Sequence, residues 1–499
     1  MATQTASGTD LPDDYRPWPA LWAMVIGFFM ILVDNTIVSV ATPDIITELH
    51  TDYNSGIWVT SAYLLSYAVP LLITGRLGDR FGPKKVYLLG LTIFTLASLW
   101  CGLTDSIGGL ITARAVQGLG AALLTPQTMA VITRTFPAAK RGSAMALWGA
   151  TAGVAMLVGP LLGGVLVDAA GWEWIFFINL PVGVVGFVLA WRLVPSLPTH
   201  SHAFDWLGVV LSAVGMFLLV FGIQEGERYD WSSSIWLCIG AGIAVIALFL
   251  IWQGRNTREP LVPLELFRDR NFSIGNAGIS LVSLAVTAMS LPFMFYAQGA
   301  RGWSPTESAL FFLPMALIVI VLSPIVGRLV DQLHPRSIST VGFGLAAIAM
   351  ALTSWLVRFD TPAWQLLIPF ALFGVANTCL WAPLGATTMR NLPLAAAGAG
   401  AGVYNATRQV AAALGSAAVA ALIGSRLTAN GLSGDADSFQ QLSGVAMPPS
   451  IAEPFSLAMS EAYWLPVGAF AVGVVLVAFF AAPTHEGHGA GRREKKSRS

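Results

Sequence analysis

Charge is what this chain lacks most. Of its 499 residues, 27 are Lys or Arg and 27 are Asp or Glu, 11% in all, against about 25% for an ordinary soluble domain. With 55% hydrophobic residues and a mean hydropathy of +0.68, the chain faces lipid or its own interior over most of its length. The formal net charge is zero, so there is no basic face to argue for nucleic acid. Cysteine is scarce as well. Cys101, Cys238 and Cys379 are odd in number and fall inside apolar segments, so no disulfide framework is implied. The histidines (His50, His200, His202, His334, His485, His488) all lie in predicted loops or tails. A membrane-embedded protease or acyltransferase needs a nucleophile within reach of a base, and no intramembrane His or Cys–His set exists. The chain is therefore read as no enzyme, with no catalytic residue and no metal site. No Gly-x4-Gly-Lys-Ser/Thr string is present, which disfavours an ATP-driven pump. The expected energy source is an ion gradient, with no cofactor.

What is present is a long series of apolar runs. A membrane span needs about 20 mostly apolar residues, and fourteen such segments can be counted: 20–43, 57–75, 86–103, 107–131, 143–168, 174–194, 205–223, 234–252, 272–297, 305–327, 337–357, 363–388, 398–424 and 462–482. The first run follows Asp10, Asp13 and Asp14 rather than a basic region, so it is read as a retained helix and not a signal peptide. An even count puts both termini on one side. If that side is the cytoplasm, its stretches collect 21 of the Lys and Arg residues and the opposite loops only 4, as the positive-inside rule requires. Arginine far outnumbers lysine, and Ala and Gly are abundant. The expected setting is a bacterial cytoplasmic membrane, with the protein a monomer in contact with lipid.

One acid breaks the apolar pattern. Asp34 stands in the middle of the first span, in Leu32-Val-Asp-Asn-Thr-Ile-Val-Ser-Val-Ala-Thr-Pro43. A charge at bilayer depth costs about 2.5–3.5 kcal/mol or more and rarely persists without a role. Arg114 lies within the fourth span. At about 1.5 Å per residue the two side chains fall at similar depth, so they are expected to communicate and to set the affinity of Asp34 for a proton.

The chain also repeats itself. Gly75-Arg-Leu-Gly-Asp79-Arg80-Phe-Gly82 follows span 2, and Gly327-Arg-Leu-Val-Asp331 follows span 10. Repeated halves mark secondary transporters, whose substrate site lies between them. The expected organisation is a cytoplasmic tail (1–19), a six-helix bundle (20–194), two inserted helices (205–252), an amphipathic linker along the membrane surface (253–271), a second six-helix bundle (272–482) and a basic cytoplasmic tail (483–499). The stretch 425–461, rich in Gly, Ser and Asp, is expected to be a flexible external loop.

These strings resemble the major facilitator superfamily, and within it the fourteen-helix drug:proton antiporter branch. The resemblance covers about residues 18–485. It is carried by Asp34, Thr36, Ala41 and Pro43 in span 1; by Gly75, Leu77, Asp79, Arg80, Gly82, Lys84 and Lys85 after span 2; and by Arg114, Gln117, Gly118 and Gly120 in span 4. In span 5 the matching residues are Gly153, Gly159-Pro160 and Gly163-Gly164. Two further strings look like this branch, Trp172-Glu-Trp-Ile-Phe-Phe-Ile-Asn179-Leu-Pro181-Val-Gly183 and Tyr404-Asn405-Ala-Thr-Arg408-Gln409. The resemblance implies an all-α membrane protein of two six-helix bundles plus two inserted helices. It implies proton coupling through Asp34 and Arg114, and a conformational latch at Gly75, Asp79, Arg80, Gly82 and Asp331. The span 5 residues would be the exporter's antiporter motif.

The expected substrates are hydrophobic or amphiphilic small molecules, exchanged for protons by alternating access. Asn35, Trp58, Ser61, Tyr63, Tyr67, Gln117, Trp148, Phe293, Tyr296, Trp381, Tyr404, Asn405 and Arg408 are the candidates to line the pocket. Many multidrug relatives carry an Asp where this chain has Ser61, and acids in span 13 where it has neutral or basic residues. This weakens the case for divalent cations and favours a neutral, monocationic, amphiphilic or lipid-like substrate. Arg408 has no intramembrane acid in the second half to pair with. Its expected partners are carbonyls, Asn405, Gln409 or an anionic substrate group, and bracing is the preferred reading. A lipid exporter is the alternative, and a nutrient importer is disfavoured by the span 5 motif.

Overall fold

The computed structural model describes residues 15–481 except 52, 138–139, 200–204, 227, 257–259 and 433–446. The expected basic tail 483–499 and most of the N-terminal tail lie outside the described residues. Among the described residues, thirteen helical segments are long and apolar enough to cross a membrane, and a bent pair supplies a fourteenth. The number matches the count from hydropathy.

The first half comprises α1 (Pro17–Glu48), α2 (Tyr53–Ala68), α3 (Leu71–Phe81), α4 (Pro83–Leu103), α5 (Ile107–Thr135), α6 (Arg141–Ala170), α7 (Trp174–Phe177) and α8 (Asn179–Leu193). The inserted pair is α9 (Trp206–Gln224) and α10 (Ser233–Arg255). The second half comprises α11 (Arg270–Phe295), α12 (Pro305–Leu310), α13 (Leu313–Gln332), α14 (Pro335–Leu356), α15 (Ala363–Thr388), α16 (Ala397–Ala429), α17 (Pro449–Ala462) and α18 (Trp464–Val477). Helix boundaries follow the backbone chemistry. α2 and α3 form one span bent by 46° at Val69–Pro70, where proline withholds an N–H and disfavours a straight helix. α4 follows Gly82, whose φ of 91° suits a residue without Cβ.

The two halves pack by one plan. α1 lies against α6 and α8, α5 against α2 and α4, and α4 against α8. In the second half α11 lies against α16 and α18, α15 against α13 and α14, and α14 against α18. The halves meet along α3 with α16 and along α6 with α13 and α15. α9 touches α2 on one side and α16 on the other, so the inserted pair sits beside the seam.

Two expected segments take a definite form. The stretch 425–461 is not simply a loop: α16 runs to Ala429, and Pro449–Ala462 is helical, continuing into α18. Its Pro, Ser and Glu content hid a helix whose Ala452, Phe455, Ala458 and Met459 are buried. The apolar side of the expected linker is seated against the protein. α10 continues to Arg255, Leu261, Val262 and Leu266 are buried, and Leu264–Arg268 forms a single tight turn. Asp205 draws the linker inward. Its carboxylate accepts from Gly208 N (2.9 Å) at the start of α9, Trp252 Nε1 and Gln253 Nε2 (both 2.8 Å) at the end of α10, and Leu261 N (3.4 Å). Gln253 Oε1 in turn accepts from Val262 N at 3.1 Å.

Candidate functional site

Asp34 and Arg114 touch. Arg114 NH1 lies 2.5 Å from Asp34 Oδ2, and both side chains are fully buried. Asp34 Oδ1 accepts from Gln117 Nε2 at 2.8 Å and from Asn179 Nδ2 at 2.9 Å. The orientation of the Gln117 amide is fixed by its other bonds: Oε1 accepts from Arg114 NH1 at 2.5 Å, and Nε2 also reaches Ser98 Oγ at 2.7 Å. Both carboxylate oxygens therefore face donors, which is the bonding pattern of the ionised acid. Arg114 Nε donates to Val59 O at 3.2 Å, and its Cζ sits 4.1 Å from the centre of the Tyr63 ring, a cation–π contact out of reach of water. The chain brings these residues together from α1, α2, α4, α5 and α8. Ser98 and Asn179 were not singled out for this role from the sequence. Short polar side chains inside apolar runs carry no periodic signal.

The latch residues occupy matching positions in the two halves. Asp79, at the end of α3, accepts from Gly398 N and Ala399 N of α16, both at 2.8 Å. Asp331, at the end of α13, accepts from Gly142 N at 2.7 Å, Ser143 N at 3.2 Å and Ser143 Oγ at 2.6 Å, all on α6. Each carboxylate grips the second and third amides of a helix belonging to the other half. Neither helix has a side-chain cap of its own, because Lys140 and Ala396 stand at the cap positions. A carboxylate there satisfies orphan N–H groups and meets the positive end of the helix. Gly75 permits the approach: a Cβ on it would come within 3.0 Å of Gly402 Cα and 3.1 Å of the Gly398 carbonyl carbon. Arg80, by contrast, lies over the Phe81 ring at 5.2 Å.

A third clamp was hidden among the basic residues counted for orientation. Arg141 opens α6, and its guanidinium donates to Phe136 O, Thr133 O, Met389 O and Arg390 O. The last two are at the C-terminal end of α15 in the other half, where a cation meets the negative end of a helix.

The span 5 residues lie on α6, between the ion pair and the second half. A Cβ on Gly159 would sit 3.2 Å from Val33 O, and one on Gly163 would sit 2.8 Å from Ile37 Cγ1, both on α1 beside Asp34. Gly153 faces the other way, where a Cβ would be 3.1 Å from Val319 of α13. Pro160 lies within the helix, and Gly164 faces open space.

A cavity of about 160 Å³ opens where α6 meets the second half. Among the residues expected to bind substrate, Trp381 and Arg408 line it. The others sit elsewhere in this conformation, because large side chains in apolar helices fill the core first. Phe293 packs among Phe311, Phe312 and Phe370, and Tyr296 Oη donates to Arg358 O at 2.7 Å. Trp58 rests against Phe221 of the inserted pair, and Tyr63 and Gln117 belong to the ion pair. Tyr67 Oη donates to Thr125 Oγ1 at 3.2 Å, while Trp148 stacks on Phe28 at 4.6 Å. Ser61 and Tyr404 are buried, Asn35 is half-buried, and Asn405 Nδ2 donates to Ala401 O at 2.9 Å. The sequence reading missed Ser283, Thr287, Met315, Phe373 and Asn377, which complete the cavity wall.

Comparisons with known proteins give the family. The model of the Major Facilitator Superfamily matches residues 24–416. The chain belongs to this superfamily. It is 52% identical to an uncharacterized MFS-type transporter of Mycobacterium tuberculosis, Rv1250, over 93% of this chain and 81% of that one. It is 31% identical to the multidrug export protein EmrB of Escherichia coli K12, over 94% and 96% of the two chains. The tetracenomycin C resistance and export protein of Streptomyces glaucescens is 32% identical over 83% and 77%. Among solved structures, the proton:xylose symporter XylE has the same fold, with a TM-score of 0.64 at 13% identity over 93% of this chain and 96% of that one. The chain is thus a multi-pass membrane transporter.

Proposed function

We propose that this transporter is a proton-coupled exporter of hydrophobic or amphiphilic small molecules, with multidrug efflux as its activity. The observation that carries the reading is the fully buried Asp34–Arg114 pair, the sole salt bridge among the described residues with both side chains at 0% exposure. Relatives named as drug export or multidrug resistance proteins at 31–33% identity support the substrate class. Asp34 holds and releases the transported proton. In the present conformation it is sealed from solvent and held by Arg114, Gln117 and Asn179. Protonation removes the attraction that holds the pair together in a low-dielectric site. α1 and α6 are packed through Gly159 and Gly163, so a shift at Asp34 is passed to α6. α6 carries both the Asp331 clamp and the cavity wall at Gly153. The clamps at Asp79, Asp331 and Arg141 join the halves at the end that also carries Lys84, Lys85 and Lys140. With that end cytoplasmic and both termini inside, this conformation is closed on the inner side.

A second reading, export of a lipid or lipid-like amphiphile, is favoured by one feature. An apolar groove of about 620 Å³ runs between α1 and α6 of one half and α13 of the other, lined by Trp22, Phe29, Leu147, Ile320 and Pro324. It lies beside exposed apolar side chains such as Val321 and Ile325, so a lipid tail has access to it. The test is transport in proteoliposomes under an imposed pH gradient, following a fluorescent lipophilic dye and a fluorescent lipid in parallel. Gradient-dependent dye movement supports the drug exporter. Lipid movement without dye movement replaces it with the lipid exporter.

A further inference from the structure

The arginines of this protein are used in different ways. Arg141 donates to four backbone carbonyls, and Arg114 donates to a carboxylate, an amide and a carbonyl. Arg408 makes one hydrogen bond among the described residues, from NH2 to Tyr67 Oη at 3.3 Å. Its Nε is buried and has no partner, and its Cζ lies 6.0 Å from the Trp148 ring centre. Among the described residues no acid forms a salt bridge with it. A guanidinium has five N–H donors and cannot shed its charge, so a bracing role leaves most of its bonding capacity unspent. The carbonyl, Asn405 and Gln409 partners expected from sequence are not its partners here.

Two more unpartnered polar atoms line the same cavity. Ser283 Oγ, on α11, and Asn377 Oδ1, on α15, are buried without a hydrogen-bond partner. Buried polar groups are nearly always satisfied, so each exception calls for a reason. Here three exceptions, on α11, α15 and α16, share one cavity. Around them stand Val286, Met289, Met315, Phe373 and Trp381, an apolar wall with a cation and two small polar groups.

We propose that this cavity is the binding site for the acidic head group of an organic anion, a lipophilic carboxylate being the simplest form. The carboxylate accepts from Arg408 and from the Ser283 hydroxyl, and the apolar wall takes its ring or chain. A volume of about 160 Å³ is below the roughly 300–1,000 Å³ of drug pockets, so it holds the head group and first ring rather than a whole amphiphile. Because Arg408 also reaches Tyr67 in the first half, the bound anion sits at a polar contact between the halves. The inference deepens the exporter reading and rests on it for its physiological meaning, although binding itself does not depend on it.

The test uses the full-length protein in detergent and a matched set of radiolabelled probes: 1-naphthoate, its methyl ester and 1-naphthylmethylamine. Scintillation-proximity binding is expected to rank naphthoate at least tenfold above both the ester and the amine. Arg408→Gln is expected to remove that preference and Arg408→Lys to restore part of it, while Ser283→Ala costs a few-fold. Equal binding of acid and ester to the unsubstituted protein overturns the proposal whether or not any variant folds. So does a preference for the acid that survives in Arg408→Gln. A parallel flux assay separates the two readings. Gradient-driven export of a lipophilic cation without naphthoate binding keeps the exporter and removes the anion site. Naphthoate binding with no gradient-driven movement of any probe keeps the site and removes the exporter.

Discussion

The two halves share one helical plan and treat a membrane-embedded arginine in opposite ways. In the first half, Arg114 is locked to Asp34, Gln117 and Val59, with Tyr63 over its face. In the second, Arg408 stands at a cavity with a single long hydrogen bond. A repeated scaffold has thus kept its packing and divided its chemistry: one half holds a buried ion pair, and the other an arginine with one long hydrogen bond at a cavity. Cost explains why the contrast is informative. A buried charge is expensive unless paired, which accounts for the ion pair at the fully buried Arg114; Arg408 is half-buried, has a single hydrogen bond and faces a cavity instead.

The comparison is broken most severely at the ion pair. Arg114→Ala leaves Asp34 buried without compensation, and losing one partner of such a pair costs about 3–5 kcal/mol. A large fall in Tm by thermal unfolding in detergent is expected. Arg141→Gln against Arg408→Gln sharpens the contrast between spent and unspent donors. The first removes charge-assisted bonds worth about 1.5–3 kcal/mol each and is expected to lower Tm clearly. The second is expected to leave Tm nearly unchanged; an equal loss would show that Arg408 is structural after all.

Weaker effects follow at the clamps. Asp79→Asn and Asp331→Asn each weaken a helix cap from the other half, worth about 1–2 kcal/mol. In a cysteine-free background, Ala146→Cys, packed against Gly327, is expected to alkylate faster in either variant and fastest in both together. Unchanged labelling would deny that the caps hold this face closed.

The smallest effect concerns pH at the inserted pair. Burial alone would raise the Asp205 pKa, but hydrogen bonds from Trp252, Gly208, Gln253 and Asn256 outweigh it and hold the carboxyl below its ordinary range. A lowered folded-state pKa contributes stability above the unfolded value of about 3.9, and that contribution is lost as pH falls through the folded pKa. The Tm advantage of the natural protein over Asp205→Asn is therefore expected at pH 7 and should shrink as the pH falls below about 4. A constant difference would assign the effect to geometry alone.

Much of this was legible because lipid makes sequence patterns stark. Fourteen spans, the twofold repeat and the depth of Asp34 and Arg114 all follow from the expense of polar groups in hydrocarbon. Asp79 and Asp331 were legible as a repeated string, although their targets, amides in the opposite half, were not. What escaped had no local signature. Arg141 reads like any cytoplasmic arginine until α15 is folded against it. Asp205 reads like a loop acid until α9, α10 and the linker converge on it. Ser283 and Asn377 are small polar residues in long apolar helices, where most such residues bond within their own helix. α17 was hidden by its Pro, Ser and Glu content, since tertiary burial rather than propensity stabilises it.

The central claim is that Asp34 carries the proton. It is tested most directly by comparing the natural protein with Asp34→Asn in proteoliposomes, measuring both pH-gradient-driven accumulation of a lipophilic substrate and gradient-independent exchange of that substrate. The account predicts that the variant loses accumulation while retaining exchange, because an amide cannot cycle a proton but leaves the cavity in place. Accumulation that persists in Asp34→Asn and still collapses when the pH gradient is dissipated would contradict it.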